Sequence, residues 1–253
     1  AKEGSGYTGT ATATFNIVPI VVDGSGAVKI LRDQDGTRAV IDGEFGDDGA
    51  VSITKENIEV SSVVYNREFM KETYSTMVLP FSVNTNKVSG LNAVLYYNGI
   101  GTDKDGNDAV RMKVLWATSE WVKSNNIKDE SNQYKVYGDA TLSANTPYLV
   151  QTRATTLKVT GPVTIEPTAE AVKELDGWKF RGMWEFKRWD AGDRELGYAY
   201  GFAASSPKDS KIEVGDFVKI GEGTFIYPLR AYLVSSNIPE SSSPVQGVRA
   251  NGA

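Results

Sequence analysis

Trp178-Lys179-Phe180-Arg181-Gly182-Met183-Trp184-Glu185-Phe186 alternates along its whole length, with Trp178, Phe180, Gly182, Trp184 and Phe186 at the even positions and Lys179, Arg181, Met183 and Glu185 between them. Successive side chains of an extended chain point to opposite faces, so this stretch predicts a strand with one aromatic face and one largely charged face. The pattern returns at 109–117, where Val110, Met112, Val114 and Trp116 oppose Arg111 and Lys113. Further strands are expected at 74–83, 93–98, 134–138, 147–151, 156–160, 197–203, 216–220 and 224–234, with shorter ones at 28–30, 38–41, 51–53, 58–60 and 63–65. Asp23-Gly24, Asp35-Gly36, Asp42-Gly43 and Asp48-Gly49 each pair a residue tolerant of positive φ with a glycine, which suits tight hairpins. The expected fold class is all-β: an antiparallel β-sandwich or jelly roll, as one unit or as two packed β subdomains. One short helix is expected at 168–175, capped by Thr168 and stopped by Asp176-Gly177.

The 253 residues are 40% hydrophobic, enough to bury a core without metal or disulfide support. There is no Cys and no His. That removes Ser-His-Asp and Cys-His nucleophiles, the usual zinc sites and imidazole acid-base chemistry, leaving carboxylate, Lys or Tyr catalysis and oxygen-ligated Ca²⁺. The 27 Lys and Arg are scattered among 32 acids for a net charge of −5, so no basic stripe is visible along the chain and nucleic acid is not an expected partner. No run approaches the ~18 apolar residues of a membrane span, so no membrane insertion is expected. Ala1-Lys2-Glu3-Gly4 lacks the regions of a signal peptide, which places any export signal or anchor outside this stretch.

Four segments are expected: 1–19 as a trailing strand, 20–69 as a small β subdomain or strand array, 70–235 as the main β-sandwich, and 236–253 as a Ser/Pro linker. In the first, Tyr7, Gly9, Ala11 and Ala13 alternate with threonines ahead of Phe15 and Ile17. This stretch resembles the last strand of an immunoglobulin-like repeat in bacterial surface adhesins. The runs Ser75-Thr76-Met77-Val78-Leu79-Pro80-Phe81-Ser82-Val83, Asn145-Thr146-Pro147-Tyr148-Leu149-Val150, Gly177-Trp178-Lys179-Phe180-Arg181-Gly182 and Pro228-Leu229-Arg230-Ala231-Tyr232-Leu233 resemble a module recurring in large surface and secreted proteins of fibre-degrading gut and rumen bacteria. The resemblance implies an extracellular or cell-surface module that spaces, displays or attaches. It implies no chemistry, and no catalytic residue is carried over.

Three site readings are weighed on the residues themselves. Asp103, Asp105 and Asp108 could converge on Ca²⁺, but Gly106 falls fourth from Asp103 and no closing Glu follows, so the spacing is not that of an EF-hand and a hairpin turn explains it without cofactor. Exposed indoles in a row could stack on sugar rings, yet alternation with charge also describes a core-facing strand, and the core reading is favoured for Trp178, Phe180, Trp184 and Trp116. Trp121, Trp189, Tyr96 and Tyr97, at loop margins, are the candidates for ligand contact, with Trp189 expected to be exposed. Glu185, Asp190, Asp193 and Glu195 are acids beside aromatics, but glycoside cleavage needs two acids about 5–10 Å apart across a cleft, and Lys187, Arg188 and Arg194 suggest ion pairing instead. The chain therefore reads as a non-catalytic module, not an enzyme, whose partner is a polysaccharide or another surface protein. The competing reading is a carbohydrate-binding module for plant cell-wall polysaccharide.

Overall fold

A computed structural model describes residues 19–46, 55–103, 106, 108–206, 212–236 and 248–252. The expected strands at 7–17 and 51–53, the Asp48-Gly49 turn and Asp105 lie outside the described residues. Within them the chain is almost entirely β, with one α-helix, Ser119–Ser124, and one 3-10 turn, Thr85–Lys87.

The first sheet is made of Ile20–Ser25, Val28–Asp33, Gly36–Asp42 and Ser62–Asn66, in that order, with the last pair parallel. Two of its Asp-Gly pairs act differently. Asp35-Gly36 closes the hairpin between the second and third strands, where Asp33 Oδ1 accepts the Asp35 N–H at 2.9 Å. Asp23-Gly24 instead stays inside the first strand just past a bulge at Val22, with Gly24 at φ +80° opposite Lys29, and the hairpin turn falls at Gly26-Ala27. A side chain at Gly24 would run into the Val28 carbonyl, so the residue opens the strand for a close backbone approach rather than turning it.

The second sheet has ten strands in the order Val172–Leu175, Trp178–Gly182, Ala231–Ser235, Ala199–Phe202, Asp216–Lys219, Val248–Gly252, Asp108–Ala117, Leu91–Thr102, Tyr148–Thr152, Tyr74–Met77. Every neighbouring pair is antiparallel except Val248–Gly252 on Asp108–Ala117. So wide a sheet of twisted strands coils back on itself. Its Tyr74–Met77 end comes back against Ala231–Ser235, the third strand from the other end, without closing: the Val78 N–H donates to Leu229 O at 3.1 Å and the Ala231 N–H to Thr76 Oγ1 at 2.8 Å. The result is a sandwich-like all-β fold.

The middle of this arrangement is buried on both sides. From Leu91–Thr102, Ala93, Leu95 and Tyr97 face one core with Phe180, Phe217 and Leu233 from the far half of the sheet. Leu91, Val94 and Tyr96 face a second core shared with Val28, Ile30, Ala39 and Ile41 of the first sheet. The first sheet and the segment after residue 70 thus share one continuous apolar layer. Tyr97 and Phe180 meet across the first core at 5.9 Å between ring centroids.

Three expectations change here. The 168–175 helix is absent: Val172–Leu175 is a strand hairpinned to Trp178–Gly182, with Asp176 at φ +55° and Gly177 at φ +75°. Two consecutive positive φ values define the I′ turn, so a dipeptide that also ends helices was here turning a hairpin. The 236–253 linker is interrupted, since Val248–Gly252 is a strand between Asp108–Ala117 and Asp216–Lys219. Finally, 134–138 is not a strand beyond a single bridge of Tyr134 to Lys128.

Candidate functional site

The aromatic row is dispersed by the fold. The strand that begins at Trp178 ends at Gly182, after which the Met183 N–H donates to Arg230 O and the alternation loses its register. Phe180 is in the core against Phe217, and Trp178 lies half-buried against Tyr200. Trp184 turns toward the other core, its Nε1 donating to Ala169 O at 3.0 Å. Phe186 joins a surface cluster with Tyr227 and Phe225, the last 49% exposed. Trp116 also leaves its expected companions: a register shift between Val114 and Trp116 sends it to the core opposite Val114.

The nominated ligand contacts are mostly interior. Trp189, expected to be exposed, is 0% exposed, because Lys187–Arg188 pairs with Phe225–Ile226 and the Trp189 N–H continues that ladder to Thr224 O. Trp121 is 2% exposed, on the inner face of a helix whose N-cap Thr118 accepts the Trp121 N–H at 3.2 Å. Tyr97 is fully buried, and Tyr96 is half-buried against the second core. None of the three buried rings presents a face to solvent. Asp103 and Asp108 flank the hairpin between Leu91–Thr102 and Asp108–Ala117, and among the described residues no three acids gather as metal ligands would.

Of the four acids considered for catalysis, Glu195 is the one built into a cluster. It accepts Arg181 Nη1 at 2.8 Å, Lys187 Nζ at 2.7 Å, the Tyr232 hydroxyl at 2.8 Å and Trp189 Nε1 at 3.3 Å. Partial burial pushes its carboxyl pKa up, but the hydrogen bonds from Lys187 and Tyr232, the Lys187 charge and the Trp189 N–H outweigh this and hold it below the ordinary value. Arg181 also reaches Glu170 at 3.1 Å, so a guanidinium stands between the two carboxylates. A cleft of about 400 Å³ is lined by Glu170, Arg181, Lys187 and Tyr232. A carboxylate saturated with donors and held ionised is suited to fixing Arg181, Lys187 and Trp189 in place, whereas a general acid needs a raised pKa.

A larger groove, about 650 Å³, lies beside Asp108–Ala117. Val248–Gly252 pairs that strand only over Ala109–Met112, and from Lys113 onward the edge has no strand partner among the described residues. After the helix the chain returns along this edge. The Ile127 N–H donates to Val122 O, the Lys135 N–H to Ile127 O, and Asp129 Oδ1 accepts the N–H groups of Ser131 and Gln133, folding 127–135 into a short finger. Met112, Val114 and Ile127 belong to the first core and make the base. Arg111, Lys113, Lys128 and Lys135 rim it with Tyr137. The Lys128 ammonium stands 5.7 Å from the Tyr134 ring centroid and that of Lys135 5.1 Å from Tyr137. The Arg111 guanidinium lies against Gly101 of the neighbouring strand, where a methyl group would collide with it.

The sequence supplied one sign of this groove, the charged face of Arg111 and Lys113. It gave none that residues 128–137 would come to stand beside them. No protein-family model, no curated protein and no solved structure matches this chain.

Proposed function

We propose that the chain is a non-catalytic attachment module of a bacterial surface or secreted protein, and that it holds a polysaccharide. The observation that carries this is the groove beside Asp108–Ala117. It is apolar at its base, with an aromatic ring and hydrogen-bond donors at the rim, as contact with a hydroxyl-rich polymer requires. The extracellular setting rests on the resemblance of the runs at 75–83, 145–150, 177–182 and 228–233 to modules of fibre-degrading bacteria. The non-catalytic part rests on how Glu195 and Glu170 are both engaged by Arg181.

The test is native affinity electrophoresis of the intact chain through gels containing plant cell-wall polysaccharides, neutral and acidic, with pull-downs on insoluble cellulose and xylan. Retardation by at least one polymer is expected, weakened about tenfold by Tyr137→Ala, in line with the loss of one stacking ring. Reducing-sugar assays on the same polymers should stay at background. Passage through the whole panel without retardation defeats the attachment reading, and product release that disappears in Glu195→Gln defeats the non-catalytic one.

A further inference from the structure

We infer that the polymer held in this groove is acidic, a chain of sugars bearing uronate carboxylates. The inference deepens the attachment reading and rests on it. Arg111, Lys113, Lys128 and Lys135 are all exposed and all line one groove. None of the four is in an ion pair with a described residue, although Asp129 and Glu130 follow Lys128 directly in the chain. Arg38, Arg181, Lys187 and Arg230, by contrast, are each paired with a carboxylate, in a protein of net charge −5.

Charge decides between neutral and acidic occupants. A neutral polymer lying in the groove strips water from four cations and returns only hydroxyl contacts, which leaves each cation less well solvated than before. A polyanion supplies the missing counter-charge, and Arg111 offers a planar fork that matches a carboxylate with two parallel hydrogen bonds. The two lysine–tyrosine pairs sharpen the assignment. Each sets an ammonium about 5–6 Å from an aromatic ring; Tyr137 lines the groove itself, and Tyr134, outside its lining, is 46% exposed. A uronate residue carries an apolar ring face and a carboxylate attached directly to that ring, so one sugar can address both partners of such a pair. A sulfate ester stands farther from the ring, beyond an intervening oxygen.

The test uses the intact chain in affinity electrophoresis and titration calorimetry against polygalacturonate and alginate, with neutral xylan and galactan and with dextran sulfate as separate arms. The variants are Lys128→Gln with Lys135→Gln, Arg111→Gln, and Lys29→Gln, an exposed lysine on the first sheet, as control. Thermal melts confirm that each is folded. The expected result is binding to the uronate polymers that weakens with salt by on the order of one unit of log–log slope per cation engaged. It should fall at least about tenfold in the double lysine variant, by a similar factor in Arg111→Gln, and not at all in Lys29→Gln. Binding to neutral polymers alone, lost in Tyr137→Ala but indifferent to the lysines, overturns the acidic assignment and leaves the attachment reading standing. Tighter binding to dextran sulfate than to either uronate polymer overturns the choice of carboxylate. Failure to bind any polymer removes the attachment reading and this inference with it.

Discussion

Replacing Glu195 separates a structural carboxylate from a catalytic one. Its side chain is 19% exposed and accepts four hydrogen bonds, two from cations and two from neutral groups. Hydrogen bonds to charged groups contribute roughly 1.5–3 kcal/mol and neutral ones roughly 0.5–1.5. Those figures are reduced here because Arg181 keeps Glu170 at 3.1 Å, Lys187 keeps Asp193 at 3.5 Å, the Trp189 bond is long at 3.3 Å, and the cations remain partly solvated. The expected cost of Glu195→Ala is therefore about 3 kcal/mol. For Glu195→Gln it is about 1–2 kcal/mol, since the amide oxygen still accepts while its NH₂ group faces a donor. In a chain of this length 3 kcal/mol corresponds to a fall of roughly 6–12 °C in melting temperature.

Acid supplies an independent check on the same residue. The carboxyl pKa is lower in the folded state than its ordinary 4.5, so the stability Glu195 contributes is complete above that value and is lost as the pH falls through the folded one. Urea unfolding followed by tryptophan fluorescence at pH 7 and at pH 3 should show the gap between wild type and Glu195→Gln closing in acid. A Glu195→Ala protein within 0.5 kcal/mol of wild type, an order-of-magnitude threshold below any of these hydrogen-bond contributions, refutes the reasoning. So does a gap that widens in acid.

Two further substitutions test the fold that positions the groove. Gly177→Ala places a side chain at φ +75° in the Asp176-Gly177 turn and should cost about 1–2 kcal/mol in urea unfolding, with no change in glycan binding; a neutral effect would mean that the turn is not of the I′ kind. Arg67 is buried, donates to Leu229 O at 3.0 Å and stands 4.5 Å from the Phe69 ring centroid, so it ties the first sheet to the turn before Ala231–Ser235. Arg67→Ala should lower stability by about 2–4 kcal/mol through lost packing and the cavity left against Phe69, Leu229 O keeping the Val78 N–H as donor, and a loss below about 1 kcal/mol in differential scanning calorimetry would contradict that role.

The β class of this chain was legible in its sequence because alternation and turn chemistry are local. Phe180 and its neighbours had to be strand, and Gly24, Gly36 and Gly177 took the positive φ that an Asp-Gly pair offers, whereas Asp42-Gly43, expected to turn a hairpin, did not: its strand pairs in parallel with Ser62–Asn66. What each pair made was not legible: Asp23-Gly24 stayed within a strand beside a bulge and Asp176-Gly177 turned a hairpin, since both conformations draw on the same backbone freedom. Alternation also cannot see the register shift after Val114 that carries Trp116 into the other core, or the end of the strand at Gly182 that dispersed Trp184 and Phe186. A strand has two faces, and only what the fold lays over each one decides which is interior. Trp189 and Trp121 were covered by segments that pair or pack against them, while Lys128 and Lys135 were carried back to Arg111 by a helix and a finger. Burial and charge density belong to neighbours brought together across the fold, and it was there, not along the chain, that a basic groove came into being.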